Sequence, residues 1–176
     1  MEARHQQRYR STGIFLAGAN LLFLVAVVWH GVVHPFAGAT AAESLPLIQG
    51  EASAWSLLHM FFAFVAVLFA ASALAVLSVR SRLTASLTGL AGWSVLAILG
   101  ILGAGLAVME ATVQGDAAIA GDLETFSMWF ALSRGFEILF ILFPFAFLGI
   151  AVADLRSPRP LRRHDGPARS PSWGPG

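Results

Sequence analysis

The sequence predicts an all-α integral membrane protein built as a four-helix bundle, and three observations lead to this fold class. Hydrophobic residues make up 57% of the 176 residues and charged residues only 12%, which is about half the charged fraction of an average soluble domain. Four apolar stretches are long enough to cross a hydrocarbon core of about 30 Å, which takes about 20 helical residues. Most ionisable residues lie outside these stretches, in the connections and at the two ends of the chain.

Each apolar stretch should be a helix, because a backbone in lipid must satisfy its own hydrogen bonds. Three stretches contain long runs without an ionisable residue, whereas the fourth contains Arg134 and Glu137. The four spans should alternate in direction in an up-down-up-down arrangement, with a tight connection between the second and the third. We therefore predict helices over 12–34, 54–79, 84–111 and 125–153.

The chain divides into a transmembrane domain, 1–156, and a C-terminal tail, 157–176. The tail holds five of the eight prolines and four of the eleven arginines, a composition that is typical of disordered segments. The first span begins after a basic segment, as a signal peptide does, but its apolar run is longer than the usual signal-peptide core. We therefore expect the first span to be retained.

The arginines predict the orientation of the bundle. Every arginine except Arg134 falls in the N-terminal segment, in the connection around residue 81, or at the C-terminal end, whereas the other two connections carry only acidic charges. The positive-inside rule places arginine-rich segments in the cytoplasm. We expect a multi-pass protein of the cell membrane with both termini in the cytoplasm and the lipid bilayer as its first partner.

Small residues on the third span predict close helix packing. Glycine and alanine spaced along one helix allow neighbouring backbones to approach in lipid. A short connection joins the third span to the second, so these two should form an antiparallel hairpin. The candidate packing residues are Gly92, Gly100, Gly103, Ala104 and Ala107.

The fourth span carries a stripe of phenylalanines at helical spacing, which we interpret as a packing or lipid-facing surface. Pro144 lies within the stripe and should bend the helix, because it removes one backbone hydrogen bond. The stripe consists of Phe136, Phe140, Phe143 and Phe147.

Besides His34 at the very end of the first span, five ionisable residues lie inside or at the edge of the predicted spans, towards their outer ends. At 1.5 Å per residue, His30, His59 and Arg134 fall roughly 9–12 Å from the midplane on three different helices. Glu137 is deeper and Glu110 lies near the outer surface. Ionisable residues in a membrane span are costly, and those that are retained usually face a partner or a cavity. We therefore expect these five side chains to converge in one polar layer that opens towards the outside.

Three interpretations of this polar layer remain open. In the first, it is a structural knot in which Arg134 pairs with Glu137 and the histidines add hydrogen bonds. In the second, His30 and His59 are axial ligands of a haem b or bind a transition metal together with a glutamate. In the third, the layer is a vestibule for a small ligand, an ion or a quinone, in which Arg134 meets an anionic or carbonyl group.

The sequence contains no cysteine, which excludes thiolate metal sites and covalent haem attachment. It also lacks nucleotide-binding loops and serine-hydrolase or zinc-protease motifs, and a nucleic-acid partner is not expected. We predict a non-enzymatic membrane protein that acts as an accessory subunit of a larger membrane complex or as a homo-oligomer. The alternatives are an electron-transfer subunit with haem or metal, and a small transporter or ligand sensor.

Overall fold

The computed structural model describes residues 2–33, 40–79 and 82–156, and all regular structure in these ranges is helical. The predicted disorder of the tail 157–176 concerns residues outside these ranges. The α-helices are α1 (Glu2–Val33), α2 (Ala41–Gly50), α3 (Ala52–Leu77), α4 (Leu87–Met109), α5 (Gly115–Ala120), α6 (Leu123–Glu137) and α7 (Leu142–Arg156).

Four helical stretches are long and apolar enough to cross a membrane, which confirms the predicted fold class. The third stretch is longer than predicted because α4 continues through a π-helical segment, Glu110–Gln114, into α5. The fourth combines α6 and α7. The four stretches are Gly13–Val32, Ala52–Leu77, Leu87–Ala120 and Leu123–Arg156.

Two connections contain helices that the sequence analysis did not predict. In the first connection, Thr40 and Glu43 form a capping box that starts α2, since each side chain accepts a hydrogen bond from the other residue's backbone. In the third connection, α5 ends at Gly121, which has a positive φ of 69°. Asp122 then caps α6, and hydrogen bonds from Thr125 lower the pKa of the Asp122 carboxyl.

The fourth span is interrupted where the sequence predicts a bend. A 3-10 segment, Ile138–Ile141, separates α6 from α7 and lies just before Pro144. Proline has no N–H to donate to the carbonyl one turn earlier, so the α-helical hydrogen bonding cannot continue through this point. The interruption divides the span into an α6 part and an α7 part.

The helices α3 and α4 form the centre of the bundle. α3 packs against α4 and α1, and α4 packs against α7. About 39% and 44% of the most apolar windows of the α3 and α4 spans are buried, compared with 11% for α1 and 11% for the α6–α7 span. The two outer spans are therefore attached to a central hairpin.

The small residues of α4 serve two different helix contacts. A Cβ at Gly100 would lie 2.7 Å from the Ala70 nitrogen and 2.8 Å from the Ala66 oxygen, whereas a Cβ at Gly92 would lie 2.9 Å from the Ala146 oxygen. Gly100 therefore faces α3 and Gly92 faces α7. Of the other predicted packing residues, Gly103 and Ala107 are buried and Ala104 is half-buried.

Two buried apolar clusters lie towards opposite ends of the bundle. We call the end that carries Trp55, His59 and Glu110 the histidine end, and the end that carries the α3–α4 connection the arginine end. The cluster towards the arginine end combines residues of α1, α3, α4 and α7. At the histidine end, Trp55 packs with α2, α5 and the start of α6.

Gly100→Ala tests the close approach of α3 and α4. The added methyl group would overlap the backbone of α3, and overpacking of this kind costs about 1–3 kcal/mol. The matched control is Gly105→Ala, since a Cβ at Gly105 meets nothing within 4 Å. We expect a lower thermal unfolding midpoint in detergent for Gly100→Ala and an unchanged or higher midpoint for Gly105→Ala. Equal midpoints for the two variants would contradict the proposed contact.

Candidate functional site

A cavity of about 570 Å³ lies between the four spans. Every span contributes to its wall: α1, α3, α4 and the α6–α7 stretch. Four of the five ionisable residues that the sequence analysis grouped line it, namely His30, His59, Glu110 and Glu137. The structure therefore brings these four around one cavity.

The His59–Glu110 pair lies in the wall of the cavity. The His59 Nε2 atom is 3.5 Å from Glu110 Oε2, and both residues are buried. The His59 Nδ1 atom lies 2.8 Å from the Trp55 carbonyl oxygen. Because a carbonyl only accepts, this geometry requires a proton on Nδ1. The contact between Nε2 and Glu110 is favourable when a proton lies between the two atoms, either on Nε2 or on the carboxyl group.

The π-helical segment that begins at Glu110 is held by side chains of α3. The Trp55 Nε1–H donates to the Glu110 carbonyl oxygen over 2.9 Å, and the Ser56 hydroxyl donates to the Ala111 carbonyl oxygen over 2.8 Å. A π-helical turn leaves the regular helical bonding pattern and is frequent at functional sites. These two hydrogen bonds fix the backbone that carries Glu110.

The Glu110 carboxylate also interacts with the α6 helix. The buried Ser133 hydroxyl lies close enough to interact with the carboxylate, and Glu137, one turn further along α6, is close enough for electrostatic interaction with Glu110. Glu110 thus contacts α3 through His59 and α6 through Ser133. Two carboxylates face the same cavity.

His30 brings α1 into this group through ring contacts. Its ring centroid lies 5.8 Å from that of His59, with the two planes nearly perpendicular at 75°, and 6.1 Å from that of Trp55. The Trp55 and His59 rings are themselves only 3.9 Å apart. The polar end of the cavity is therefore partly enclosed by aromatic rings.

Arg134 does not line the cavity. Its side chain is exposed, and its guanidinium carbon lies 5.7 Å from the centre of the Phe130 ring, which is a cation–π distance. Within residues 13–32, 40–79 and 83–156, no carboxylate oxygen lies within 4.0 Å of the guanidinium. The expected Arg134–Glu137 ion pair is thus not formed, although the two residues are one helical turn apart.

The remaining wall of the cavity is apolar and aromatic. Phe23 of α1, Phe69 of α3 and Phe143 of α7 contact one another, with ring centroids 5.8–6.4 Å apart. Asn20 also lines the cavity, but its amide donates to the Leu16 carbonyl oxygen of its own helix. The cavity therefore has one strongly polar region in an otherwise apolar wall. Three phenylalanines of the predicted stripe line it, namely Phe140, Phe143 and Phe147.

The histidines fit a haem or metal site poorly. The described residues contain no group of three histidine or carboxylate side chains placed to hold a metal ion. The Nδ1 atom of His59 faces the Trp55 carbonyl, so iron could bind only at Nε2, and that atom faces Glu110. Axial ligation between His30 and His59 would therefore require the His59–Glu110 contact to break.

Several residues of the site were not identified from the sequence. Trp55, Ser56 and Ser133 were not among the residues expected in the polar layer. A signal for Trp55 was present, because it precedes His59 by four residues and shares its helix face. A single serine carries no spacing signal, and the sequence does not fix the rotation of α6 about its axis. The position of Ser133 next to Glu110 therefore could not be identified from the sequence.

Trp55→Phe tests the hydrogen bond that holds the π-helical segment. The variant keeps an aromatic ring but removes one of two hydrogen bonds to the Glu110 carbonyl oxygen, which also accepts from the Gly115 N–H. A hydrogen bond of this kind contributes about 0.5–1.5 kcal/mol. Trp129→Phe is the matched control, because the same atoms are removed from a half-buried indole that makes no described hydrogen bond. We expect a lower unfolding midpoint in detergent for Trp55→Phe than for Trp129→Phe. The same midpoint for both would contradict this role of Trp55.

Comparison with known proteins identifies no relative. No protein-family model matches the chain, and neither a curated protein nor a solved structure matches it. The chain is a protein with four apolar helices that are able to span a membrane, and its role must be argued from the cavity itself.

Proposed function

We propose that the protein binds a small amphiphile inside the membrane, and that it acts as a ligand sensor or carrier rather than as an enzyme. The observation that carries this proposal is the cavity between the four spans, with its aromatic wall and the His59–Glu110 pair. Ligand sites are typically concave and mostly apolar, with a few polar groups that orient the ligand. An apolar chain would lie along the phenylalanines, and a polar head group would lie near His59.

The side chains at the polar region favour a neutral head group that carries a hydroxyl or a carbonyl. A ligand hydroxyl can donate a hydrogen bond to Glu137, and a ligand carbonyl can accept the proton that His59 and Glu110 share. The negative charge of the carboxylates disfavours an anion by electrostatic repulsion. Arg134, the residue that could pair with an anion, lies outside the cavity. This arrangement favours a quinol, a quinone or a long-chain alcohol over a fatty acid.

The orientation that we propose follows from the arginines. If the arginine end faces the cytoplasm, as the positive-inside rule predicts, His59 and Glu110 lie in the outer half of the cell membrane. An amphiphile whose head group resides in the outer leaflet would then be at the correct depth for the site.

The first test measures binding with a filled cavity. Gly103 lines the cavity close to Phe140, so Gly103→Leu places a side chain inside the cavity. Gly105→Leu adds the same side chain at an exposed position with open space around it. Decyl-ubiquinone, which quenches tryptophan fluorescence, is titrated into each purified variant in detergent. We expect at least about tenfold weaker binding for Gly103→Leu, equivalent to about 1.4 kcal/mol, and wild-type binding for Gly105→Leu. Equal affinities in both variants would overturn the proposal.

The second test measures the charge preference of the head group. Dodecanol and dodecanoic acid have the same chain length, and they are compared as competitors of decyl-ubiquinone at a pH at which the acid is ionised. We expect the alcohol to displace the quinone at a concentration at least about tenfold lower than the acid, because the cavity holds carboxylates and no arginine. Stronger displacement by the acid would contradict the proposed site chemistry.

A second candidate function is that of a subunit in a larger assembly, and Arg134 is the observation that favours it. A charged side chain in a membrane span costs up to about 2.5–3.5 kcal/mol on an insertion scale. Arg134 is exposed, and its described interactions are a cation–π contact with Phe130 and an electrostatic interaction with Glu137 beyond ion-pair distance. A carboxylate on a second copy of the chain or on another subunit would satisfy the guanidinium.

The assembly is tested by measuring the mass of the protein in mild detergent, corrected for bound detergent. We expect the wild-type protein to exceed the mass of one chain and Arg134→Gln to dissociate towards it. Arg156→Gln is the control, because this arginine lies at the end of α7. A wild-type protein that runs as a single chain at all accessible concentrations would remove this candidate.

A further inference from the structure

The cavity has two walls that do not pack against each other as helices. α1 lies against α3, and α7 lies against α4, whereas no extensive backbone packing joins α1 to α6 or α7 within the described residues. The cavity nevertheless contains side chains from both, for example Val27 from α1 and Phe140 from the 3-10 segment after α6. The side of the cavity between α1 and the α6–α7 span is thus closed by side chains rather than by packed helices.

The histidine half of this side is the less tightly closed. Ala19 of α1 and Ala146 of α7 both belong to the buried cluster towards the arginine end, and both are at most 3% exposed. Closer to the histidine end, the Phe23 and Phe143 rings meet at 6.4 Å. Val27 and Glu137 lie on the histidine side of this ring pair. Both residues line the cavity and are also exposed at the surface of the bundle.

The histidine end itself is covered. Trp55 lines the cavity and at the same time packs with Ile48 of α2, Ala118 of α5 and Phe126 of α6. All three of these residues are at most 4% exposed. At this end the cavity adjoins this buried cluster, whereas the polar layer is predicted from the sequence to open towards the outside.

We propose that the cavity opens sideways into the bilayer between α1 and the α6–α7 span, and that an amphiphile dissolved in the membrane enters through this opening with its head group passing Glu137. This inference rests on the proposed binding function and specifies the source of the ligand. The sides of the opening are Val27 and His30 on one span and Glu137 and Phe140 on the other, and the Phe23–Phe143 pair bounds it towards the arginine end.

Two features of the opening suit this route. The α1 and α6–α7 spans are the least buried of the four, so a small separation between them disturbs few contacts. The α6–α7 span is interrupted by its 3-10 segment at Ile138–Ile141, next to the opening, and a 3-10 stretch within a longer helix often marks a hinge. The ligand would be an amphiphile of one chemistry, an apolar chain with a neutral polar head, supplied either as a quinone or as a membrane lipid.

The experiment closes the opening with a covalent link and measures how fast the cavity fills. The chain has no cysteine, so Val27→Cys with Phe140→Cys provides one reactive pair across the opening, joined by a bis-maleimide. Thr88→Cys with Gly149→Cys is the matched control, because a Cβ at Gly149 would lie 3.7 Å from the Thr88 methyl carbon, and this link joins α4 to α7 away from the opening. Each variant is compared with itself before and after cross-linking.

Trp55 reports on the cavity, because it lines the wall and is only 8% exposed. In a background in which the other four tryptophans are replaced by phenylalanine, the protein is reconstituted into phosphatidylcholine vesicles. Decyl-ubiquinone is added, and Trp55 quenching is followed in time. We expect cross-linking of the 27/140 pair to slow quenching by at least about tenfold and cross-linking of the 88/149 pair to leave the rate unchanged.

The possible outcomes separate the inference from the proposed function. Equal rates before and after cross-linking of the 27/140 pair overturn the lateral opening while the binding function stands. A second probe is vesicle lipid that is brominated on its acyl chains. If this lipid quenches Trp55 and the quinone does not, and if the 27/140 link abolishes that quenching, the opening is supported and the occupant is a membrane lipid. Absence of quenching by both probes in the protein before cross-linking overturns the binding function itself.

Discussion

A buried carboxylate at a helix junction is the constraint on which the histidine end of this protein depends. Removing an acidic side chain from water is costly unless partners compensate for it, and Glu110 is only 9% exposed. Its partners come from two other spans, His59 and Ser133. Its backbone is held by Trp55. Because Glu110 needs these partners, α3 and α6 pack close to the end of α4. The position of Glu110 in turn sets where the polar region of the cavity lies.

Most of the fold could be predicted from the sequence, because the number and length of the spans depend on the order of apolar and charged residues along the chain. Span length follows from helix rise and bilayer thickness, and all four spans were found near their predicted positions. Length and hydropathy predict only the spans, so the helices in the connections were missed, although Thr40 and Glu43 carry a capping-box pattern. The site was predicted only in outline. Depth along a helix can be counted, but rotation about its axis depends on tertiary packing, so Arg134 was expected beside Glu137 and instead lies over Phe130.

The contrast between the two halves of the bundle favours binding over free passage. At the arginine half, the buried cluster combines residues of α1, α3, α4 and α7, and Asn20 uses its amide on its own helix. A transport pathway needs polar groups along its length, and among the described residues Asn20 is the one strongly polar side chain that this half contributes to the cavity. The cavity therefore resembles a pocket with one polar region more than a channel. A carrier function would require α1 or the α6–α7 span to move.

Such movement is consistent with how the spans are attached. The central pair α3 and α4 approach closely at Gly100, where a single added methyl group would meet backbone atoms, so this pair has little freedom to separate. α1 and α7 each lie against one member of the pair, and side chains rather than backbones meet between them. In lipid, exposed apolar side chains on these spans lose nothing by facing the bilayer, because helix association there is not driven by the hydrophobic effect. The protein thus combines a rigid hairpin, which carries His59 and Glu110, with peripheral spans whose position can change at low cost, and this division suits the reversible binding of a ligand that is itself dissolved in the membrane.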